Sequence, residues 1–275
     1  MRALNVPVEV QKEINEGAAI AISISGGKDS QALLKAVVHY LRANQLPNTH
    51  FAIHANLGRT EWEHTAAHCQ KICDDLDVPL VVVQREKGDL LARWEERMEK
   101  LKGTGKPFWS SAKNRYCTSD LKRGPINTHL RKYKHIISVE GVRADESPAR
   151  AKKPVFSIRE GITTKTRKAF SWNAIFDWKV ADVWGTYGNS DNDLQHARLL
   201  WETHKEISKL WYFHPAYAMG NQRLSCALCI LGSKNDLVNG IRHNPTLANQ
   251  IEKMEIESGF TFRSDISITE LKKLV

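Results

Sequence analysis

The sequence predicts an α/β protein, a doubly wound and mostly parallel sheet with a helical C-terminal part. Three observations predict it. Short apolar runs rich in Ile and Val recur between stretches with helical spacing. Strands that alternate with helices pair in parallel, because each crossover returns the chain to the same sheet direction. Beyond about residue 165 the strand signal fades and helical periodicity dominates.

The elements follow in order. Residues 8–16 form a short helix, and residues 18–24 (AAIAISI) are apolar enough for a strand buried on both faces. From Ser30, the apolar residues Leu33, Leu34, Val37, Val38 and Leu41 mark a helix that ends before Pro47. A strand at 51–54, a helix near 62–76, a strand at 80–83 and a helix at 90–101 come next. A loop with Gly103, Gly105 and Pro107 leads to a polar helical segment at 119–132 and a strand at 135–139. Residues 143–167 are rich in charge and turn formers and predict a long loop, while 171–176 predict a strand or an extended arm. Helices are expected at 180–185, 194–210, 234–242, 245–257 and 269–274. The expected division is an α/β part over residues 1–165 and a mostly helical part over 166–275, packed on it.

Composition narrows the class. The 275 residues, 41% hydrophobic and 26% charged, suffice for one sizeable core with an appendage or for two small domains. No apolar run approaches the roughly 20 residues that span a bilayer. The start, MRALNVPVEVQKEINEG, has no apolar stretch of the secretory kind, so a cytoplasmic location is expected. Five cysteines, an odd number, point to thiol or metal chemistry rather than a disulfide framework. A net charge of +9 favours anionic partners, nucleotides or nucleic acid, though a solvated basic surface accounts for it equally well.

The most informative stretch is Ser25-Gly-Gly-Lys-Asp-Ser30 at the end of the first strand. Gly26 and Gly27 let backbone N–H groups approach an anion, and the following helix turns its positive end the same way. Ser25 and Ser30 add hydroxyls and Lys28 a mobile charge. Asp29 would repel phosphate unless it holds a cation or an amide. The spacing is not that of a Walker A loop. Phosphate binding is the reading preferred over a polar turn without function.

This stretch resembles the PP-loop of the adenine-nucleotide alpha-hydrolase superfamily. Four more segments resemble the phosphoadenylyl-sulfate (PAPS) reductase family within it. Asn56-Leu-Gly-Arg-Thr-Glu61 follows the second strand, with Asn56 where that family has an acid. Arg115-Tyr-Cys-Thr118, with Leu121, Lys122 and Pro125, is similar to its cysteine turn and basic helix. Glu140-Gly-Val-Arg-Ala-Asp-Glu-Ser-Pro-Ala-Arg150 is similar to its arginine loop, and Phe176-Asp-Trp178 with Asp182-Val-Trp184 to a helix-opening segment. The resemblance implies an alpha-hydrolase-like sheet with an adenine nucleotide at its C-terminal edge. Ser25 to Ser30 would hold phosphates or sulfate, and Asn56, Gly58 and Gly141 would border the nucleotide. Arg143 and Arg150 would clamp the anion, unless they merely pair with Asp145 and Glu146. Lys28, Asp29 and Arg143 are the implied catalytic set.

Cys226-Ala-Leu-Cys229 can face one metal or form a redox pair. In relatives that reduce adenylyl sulfate, a Cys pair at the upstream turn and a distant CxxC hold a 4Fe–4S cluster. Here Tyr116-Cys117 replaces the pair, so Cys117, Cys226 and Cys229 are the implied ligands. One iron then stays open, as in PP-loop enzymes that thiolate tRNA or place sulfur in DNA backbones. His214 is a candidate fourth ligand. Zinc on the same residues and three metal-free thiols are the alternatives. Cys69 and Cys73 predict a buried helical face without function, and His64 and His68 a solvated one. Trp109 or Trp172 is a candidate for stacking on a base.

Three functions compete. The first, closer to the thiolation and phosphorothioation relatives, is an enzyme that uses ATP with Mg²⁺ to adenylylate its substrate, releasing pyrophosphate before sulfur displaces AMP. Its implied partners are a nucleic acid and a cysteine desulfurase-like sulfur donor. The second is a PAPS or adenylyl-sulfate reductase, which in that family uses a C-terminal Glu-Cys-Gly segment; no cysteine occurs at 230–275. The third is an ATP-sensing subunit of a larger complex.

Overall fold

A computed structural model describes the chain except residues 189, 202 and 205–211. Its centre is β1 (Ala19–Ser23), where alternate residues face opposite sides of the sheet. Ile20 and Ile22 enter a core with Leu33, Leu34, Val37 and Val38, whereas Ala19 and Ala21 meet Phe51, Ile53 and Leu130 on the other side. A strand apolar on both sides has to be covered on both sides, which is why the run AIAI lies in the middle of a layered sheet.

The further strands are β2 (His50–Asn56), β3 (Leu80–Gln84), β4 (His135–Val139), β5 (Phe156–Ile158) and β6 (Lys168–Trp172). They lie in the order β3-β2-β1-β4-β6-β5. β1 pairs in parallel with β2 and β4, and β4 in parallel with β6; β5 is antiparallel to β6. The expected doubly wound, mostly parallel sheet is therefore present. Successive strands run outward from β1 to β3, then the chain returns to add β4 on β1's other side. That reversal opens a crevice at the carboxyl ends of β1 and β4, the place where such sheets bind ligands. The SGGKDS turn follows β1 and Gly141 follows β4.

Contacts separate the chain into two compact units. The sequence suggests one cut at 165/166; the units are instead interleaved. The first comprises Met1–His54, Thr65–Val83 and Ile126–His214 and contains the sheet core. The second comprises Ala55–His64, Gln84–Pro125 and Pro215–Val275. Its core joins Leu90, Leu91 and Trp94 of helix Leu90–Leu101 to Leu247, Ile251 and Ile268 of the last helices. Among the described residues no helix is long and apolar enough to cross a membrane.

Three segments differ from expectation. Residues 143–167 are not an open loop: they hold the turns Ala144–Glu146 and Pro148–Ala151 and strand β5. Ser147 caps the second turn by accepting from Arg150 N, which converts a polar stretch into local structure. The helix expected at 119–132 begins with Tyr116–Thr118, widens into a π turn at Ser119–Arg123 and resumes at Gly124–Leu130. Pro125, without an N–H to give, lies where the widened turn ends. The helix expected at 194–210 spans Asp191–Trp201, and part of the remainder lies outside the described residues.

The N-terminal arm is fastened by two buried indoles. Trp172 Nε1 donates to Asn5 O at 2.8 Å and Trp178 Nε1 to Ala3 O at 2.9 Å. Trp178→Phe removes the hydrogen bond and leaves a cavity where the wholly buried indole was, so it should lower unfolding free energy by about 2–4 kcal/mol. It should also make the bond before residue 5 more accessible to protease; unchanged urea midpoint and cleavage would contradict the tether.

Candidate functional site

The turn after β1 is shaped by its glycines and closed by its serines. Gly26 has φ of 73°, a left-handed conformation that a side chain would strain. Gly27 is the N-cap of helix Lys28–Ala43 and offers no side chain to satisfy the first-turn amides. Ser30 Oγ donates to Gly27 O at 2.9 Å and accepts from Ser25 N at 3.1 Å, so the two serines clip the turn together. What results is a concave run of backbone at a helix N-terminus, a site suited to an anion.

Charges surround it. Lys28 is expected to be a mobile cation, yet it is only 8% exposed and bonds Asp29 Oδ2 at 2.9 Å. Asp29 Oδ1 accepts from Arg143 Nε at 2.7 Å. Arg143 is 4% exposed; its Nη1 reaches Asp145 at 3.1 Å and the Trp178 carbonyl at 3.3 Å. Burial by itself would raise the Asp29 carboxyl, but Lys28 and Arg143 together outweigh it and hold the group below the usual carboxylate range. At neutral pH the Asp29 carboxylate is met by two cations, and Arg143 is shared between it and Asp145. The anticipated trio Lys28, Asp29 and Arg143 is one bonded network.

The other expected residues take different places. Gly141 brings its backbone alongside the turn: a Cβ there would sit 3.4 Å from Asp29 O. Arg150 is met by Glu146 of the preceding turn, the pairing the sequence left open, here part-buried. Two groups that the sequence did not single out also matter here. Tyr187 donates its hydroxyl to Lys28 O, and Arg159 binds Glu140 at 2.6 Å, Ser171 at 3.0 Å and Asn127 at 2.9 Å. Arg159 lay in the stretch read as loop, so no local pattern announced it.

Asn56 and Gly58 belong to the second unit. Asn56 Oδ1 accepts from Gly58 N at 2.7 Å. A Cβ on Gly58, whose φ is 67°, would crowd the Asp89 side chain, at 2.7 Å from Oδ2. Asp89 itself caps helix Leu90–Leu101 through Ala92 N and binds Arg59 Nε at 2.7 Å and Arg59 N at 3.1 Å. Burial opposes the Asp89 charge, but Arg59 and the two amides bring its pKa down to about 2. Close packing against Asp89 is sufficient reason for glycine at 58.

Cys117, Cys226 and Cys229 all lie in this second unit. The Cys226 thiol donates to Cys229 and, against the cost of burial, brings it down to about 6, with help from Leu231 N–H and the Lys122 charge. Cys226 is pushed up, first by that bond, then by burial, with Cys117 contributing. The bond between the two sulfurs thus favours ionisation of Cys229 over Cys226, with Cys117 in electrostatic reach. Among the described residues the three sulfurs do not all lie within 4.8 Å of one another. A single zinc with Zn–S bonds of about 2.3 Å needs them closer. The CxxC loop is held firmly: Ala227 N donates to Thr60 O at 2.8 Å, and Arg263 Nη1 to Gly232 O at 2.9 Å. Helix Lys234–His243 presses on it through Gly240, where a Cβ would overlap the Ala227 carbonyl oxygen.

The remaining candidates have structural places. Cys69 and Cys73 are in the sheet core, and burial pushes Cys73 up to about 12. His68 faces Gln31 and the edge of His214, with burial bringing it down to about 4. His214 Nε2 meets Thr65 Oγ1 at 3.2 Å in the first unit. Trp172 is wholly buried and unavailable for stacking; Trp109 packs edge-on against Trp94 and Phe262.

Residues 19–200 match the model of the phosphoadenosine phosphosulfate reductase domain. An uncharacterised 37.8 kDa protein of Escherichia phage 186 is 27% identical over 263 residues, covering 78% of this chain and 68% of the relative. An uncharacterised protein of Methanocaldococcus jannaschii is 25% identical over 228 residues, covering 78% of this chain; the chain spans only 42% of that relative. Among solved structures, PAPS reductase from Candida auris in a phosphate complex has TM-score 0.42 and 11% identity, covering 70% of this chain and 90% of its own. The U34-tRNA thiolase NcsA from Methanococcus maripaludis, with its 4Fe–4S cluster, has TM-score 0.43 and 14% identity, covering 97% and 78%.

Two outcomes follow from the packing. Replacing a helix glycine by alanine usually stabilises by roughly 0.5–1 kcal/mol. Gly240→Ala should instead destabilise by about 1–3 kcal/mol, because the Ala227 backbone must move; a rise in urea midpoint would refute this. The Asp89 carboxylate, with its folded pKa depressed from 3.8 to about 2, stabilises fully above its unfolded value and loses that contribution as pH falls toward 2. Asp89→Asn should thus melt lower than wild type at pH 7, with the gap closing in acid; a pH-independent gap would assign the effect elsewhere.

Proposed function

The chain belongs to the phosphoadenosine phosphosulfate reductase domain family, and within it we propose an ATP-dependent sulfur transferase that adenylylates its substrate, with nucleic acid as the acceptor. The observation that carries the proposal is the packing of Cys117 and the CxxC loop against one core, in a protein that also has a turn suited to an anion. Nucleotide activation by itself would call for no thiols.

In this reading the SGGKDS turn holds the ATP phosphates. A substrate oxygen attacks the α-phosphorus and the bond to pyrophosphate breaks. Lys28 and the first-turn amides meet the charge that develops on the leaving group, a preorganised form of electrostatic stabilisation. Arg143, fixed by Asp29, Asp145 and Trp178 O, keeps the turn in shape and adds positive potential. Asp29 is the carboxylate of the turn that would hold Mg²⁺ brought by the nucleotide. Sulfur then attacks the activated carbon or phosphorus, and AMP departs.

Cys117, Cys226 and Cys229 would hold a 4Fe–4S cluster, which when bound supplies an open iron for sulfide. The donor set suits it: three thiols, spread more widely than a single ion allows. A cysteine desulfurase-like protein is the proposed source of sulfur.

A second reading is favoured by Cys229 itself, whose ionisation the Cys226 bond promotes. Its thiolate can attack the sulfur of PAPS or adenylyl sulfate, breaking the sulfur–oxygen bond and releasing the nucleotide. Cys226 then attacks the S-sulfonate, giving sulfite and a Cys226–Cys229 disulfide.

Titration calorimetry with ATP and with PAPS separates the two. ATP should bind, and Lys28→Gln should weaken it at least tenfold while circular dichroism shows a folded protein, its melting temperature lowered by the loss of the Asp29 partner. PAPS binding without ATP binding would transfer the assignment to the reductase. Protein purified without oxygen should contain about four irons and as many acid-labile sulfides per chain. Stoichiometric zinc, or no metal in any anaerobic preparation, would overturn the cluster.

A further inference from the structure

We infer that the second unit carries a binding surface for single-stranded nucleic acid, formed by the cationic segment 106–123 and the cleft that it walls. This inference deepens the proposed function and rests on it for the purpose of the surface, though not for its existence.

The segment brings five cations, Lys106, Lys113, Arg115, Lys122 and Arg123, against one carboxylate, Asp120. Asp120 is already engaged by Arg93 at 2.8 Å. Lys106, Lys113, Arg115 and Arg123 are exposed, and among the described residues none of them forms an ion pair with a carboxylate. Other cations of the unit are paired, Arg59 with Asp89, Arg85 with Glu96, Arg263 with Asp265 and Lys272 with Glu252, whereas segment 106–123 gathers four unpaired ones within 18 residues. Unmet cations spaced along a loop suit a line of phosphates.

The same segment walls a cleft of about 800 Å³, lined among others by Trp109, Ser110, Asn114, Leu231, Phe260 and Arg263. Such a volume exceeds what one base needs and lies inside the range of roughly 300–1,000 Å³ found for small-ligand sites. Its lining suits a base. Phe260 presents a part-exposed ring and Asn114 an exposed amide. Ser110 is 2% exposed and stands beside the Tyr116 phenol at the base of the lining. Asp265, the acid in the lining, is neutralised by Arg263 at 2.8 and 2.6 Å, so the cleft does not repel an anionic chain.

Position links the cleft to chemistry. Ile230, Leu231 and Gly232 of its wall directly follow Cys229. A nucleotide with its phosphates on Lys106, Lys113 and Arg115 and its base in the cleft would lie beside the loop that carries the reactive thiol. An acidic peptide would match the cations but leave the aromatic and amide lining unused. A duplex would match the cations but keep its bases stacked and out of reach.

Fluorescence anisotropy tests this with the full chain, a labelled single-stranded RNA, the DNA of the same sequence and its duplex, over a range of KCl. Wild type should prefer single strands, and the better of the two identifies the sugar. The triple variant Lys106→Glu/Lys113→Glu/Arg115→Glu should bind single strands at least tenfold more weakly. Its salt slope should be shallower by about 2, since each lost phosphate contact removes roughly 0.7 for a single strand. Asn114→Asp, an exposed change that folding tolerates, should weaken single strands and leave the duplex unaffected. Photocrosslinks from 4-thiouracil should fall in peptides 107–114 or 260–263. No binding by wild type, an undiminished triple variant, or crosslinks confined to other peptides would overturn the surface. ATP binding is measured on the same proteins: its absence in wild type refutes the nucleotide reading alone, and its retention in the triple variant shows that the loss is local.

Discussion

A guanidinium with almost no access to water is the constraint on which the glycine-rich turn after β1 depends. An unpartnered charge inside a protein costs several kcal/mol, so Arg143 has to be met on every side. Asp29 takes Nε, and Asp145 and the Trp178 carbonyl share Nη1. Asp29 in turn needs two cations to stay ionised under burial, and Lys28 is the second. The carboxyl end of β4 is thereby bound to the helix that follows β1. Through Trp178, whose indole holds Ala3, the same network extends to the N-terminal arm. Buried ion pairs contribute little net stability; what this one supplies is a single geometry for a glycine-rich turn that would otherwise have many.

The second unit obtains its geometry by steric closeness. Gly58 and Gly240 each stand where a methyl group would strike a neighbour: the Asp89 side chain in one case, the Ala227 carbonyl in the other. Glu255 adds a polar strut by accepting from Phe262 N and from Ile268 N at 2.9 Å. Burial raises the Glu255 carboxyl even though those amides oppose it. Arg263 then ties the same segment to Gly232, just past the CxxC. The thiols are held by backbone contacts from three separate stretches of chain, which is how a flexible-looking sequence of small residues can present sulfur atoms at fixed positions.

What the sequence determined by itself was whatever rests on nearest neighbours. The run AIAI could only be a strand buried on both faces, and Asp89 before LLARWEERMEKL could begin a helix without help. Two glycines followed by a helix N-terminus make a turn suited to an anion wherever the chain takes them. The tertiary structure decided the rest, because it settled which charges meet. Residues 143–167 looked solvated since charge usually seeks water; Arg143, Arg150 and Arg159 instead find Asp29, Glu146 and Glu140. That matching makes turns and an edge strand out of an expected loop. Lys28 looked mobile until Asp29, itself pinned by Arg143, claimed it. Cys226 and Cys229 announce each other by spacing, but Cys117 joins them only because helix Leu90–Leu101 packs with the C-terminal helices in one core. Local propensity reaches a few residues along the chain, whereas burial rewards whichever distant partners can exclude water together, and those partners have no spacing to read.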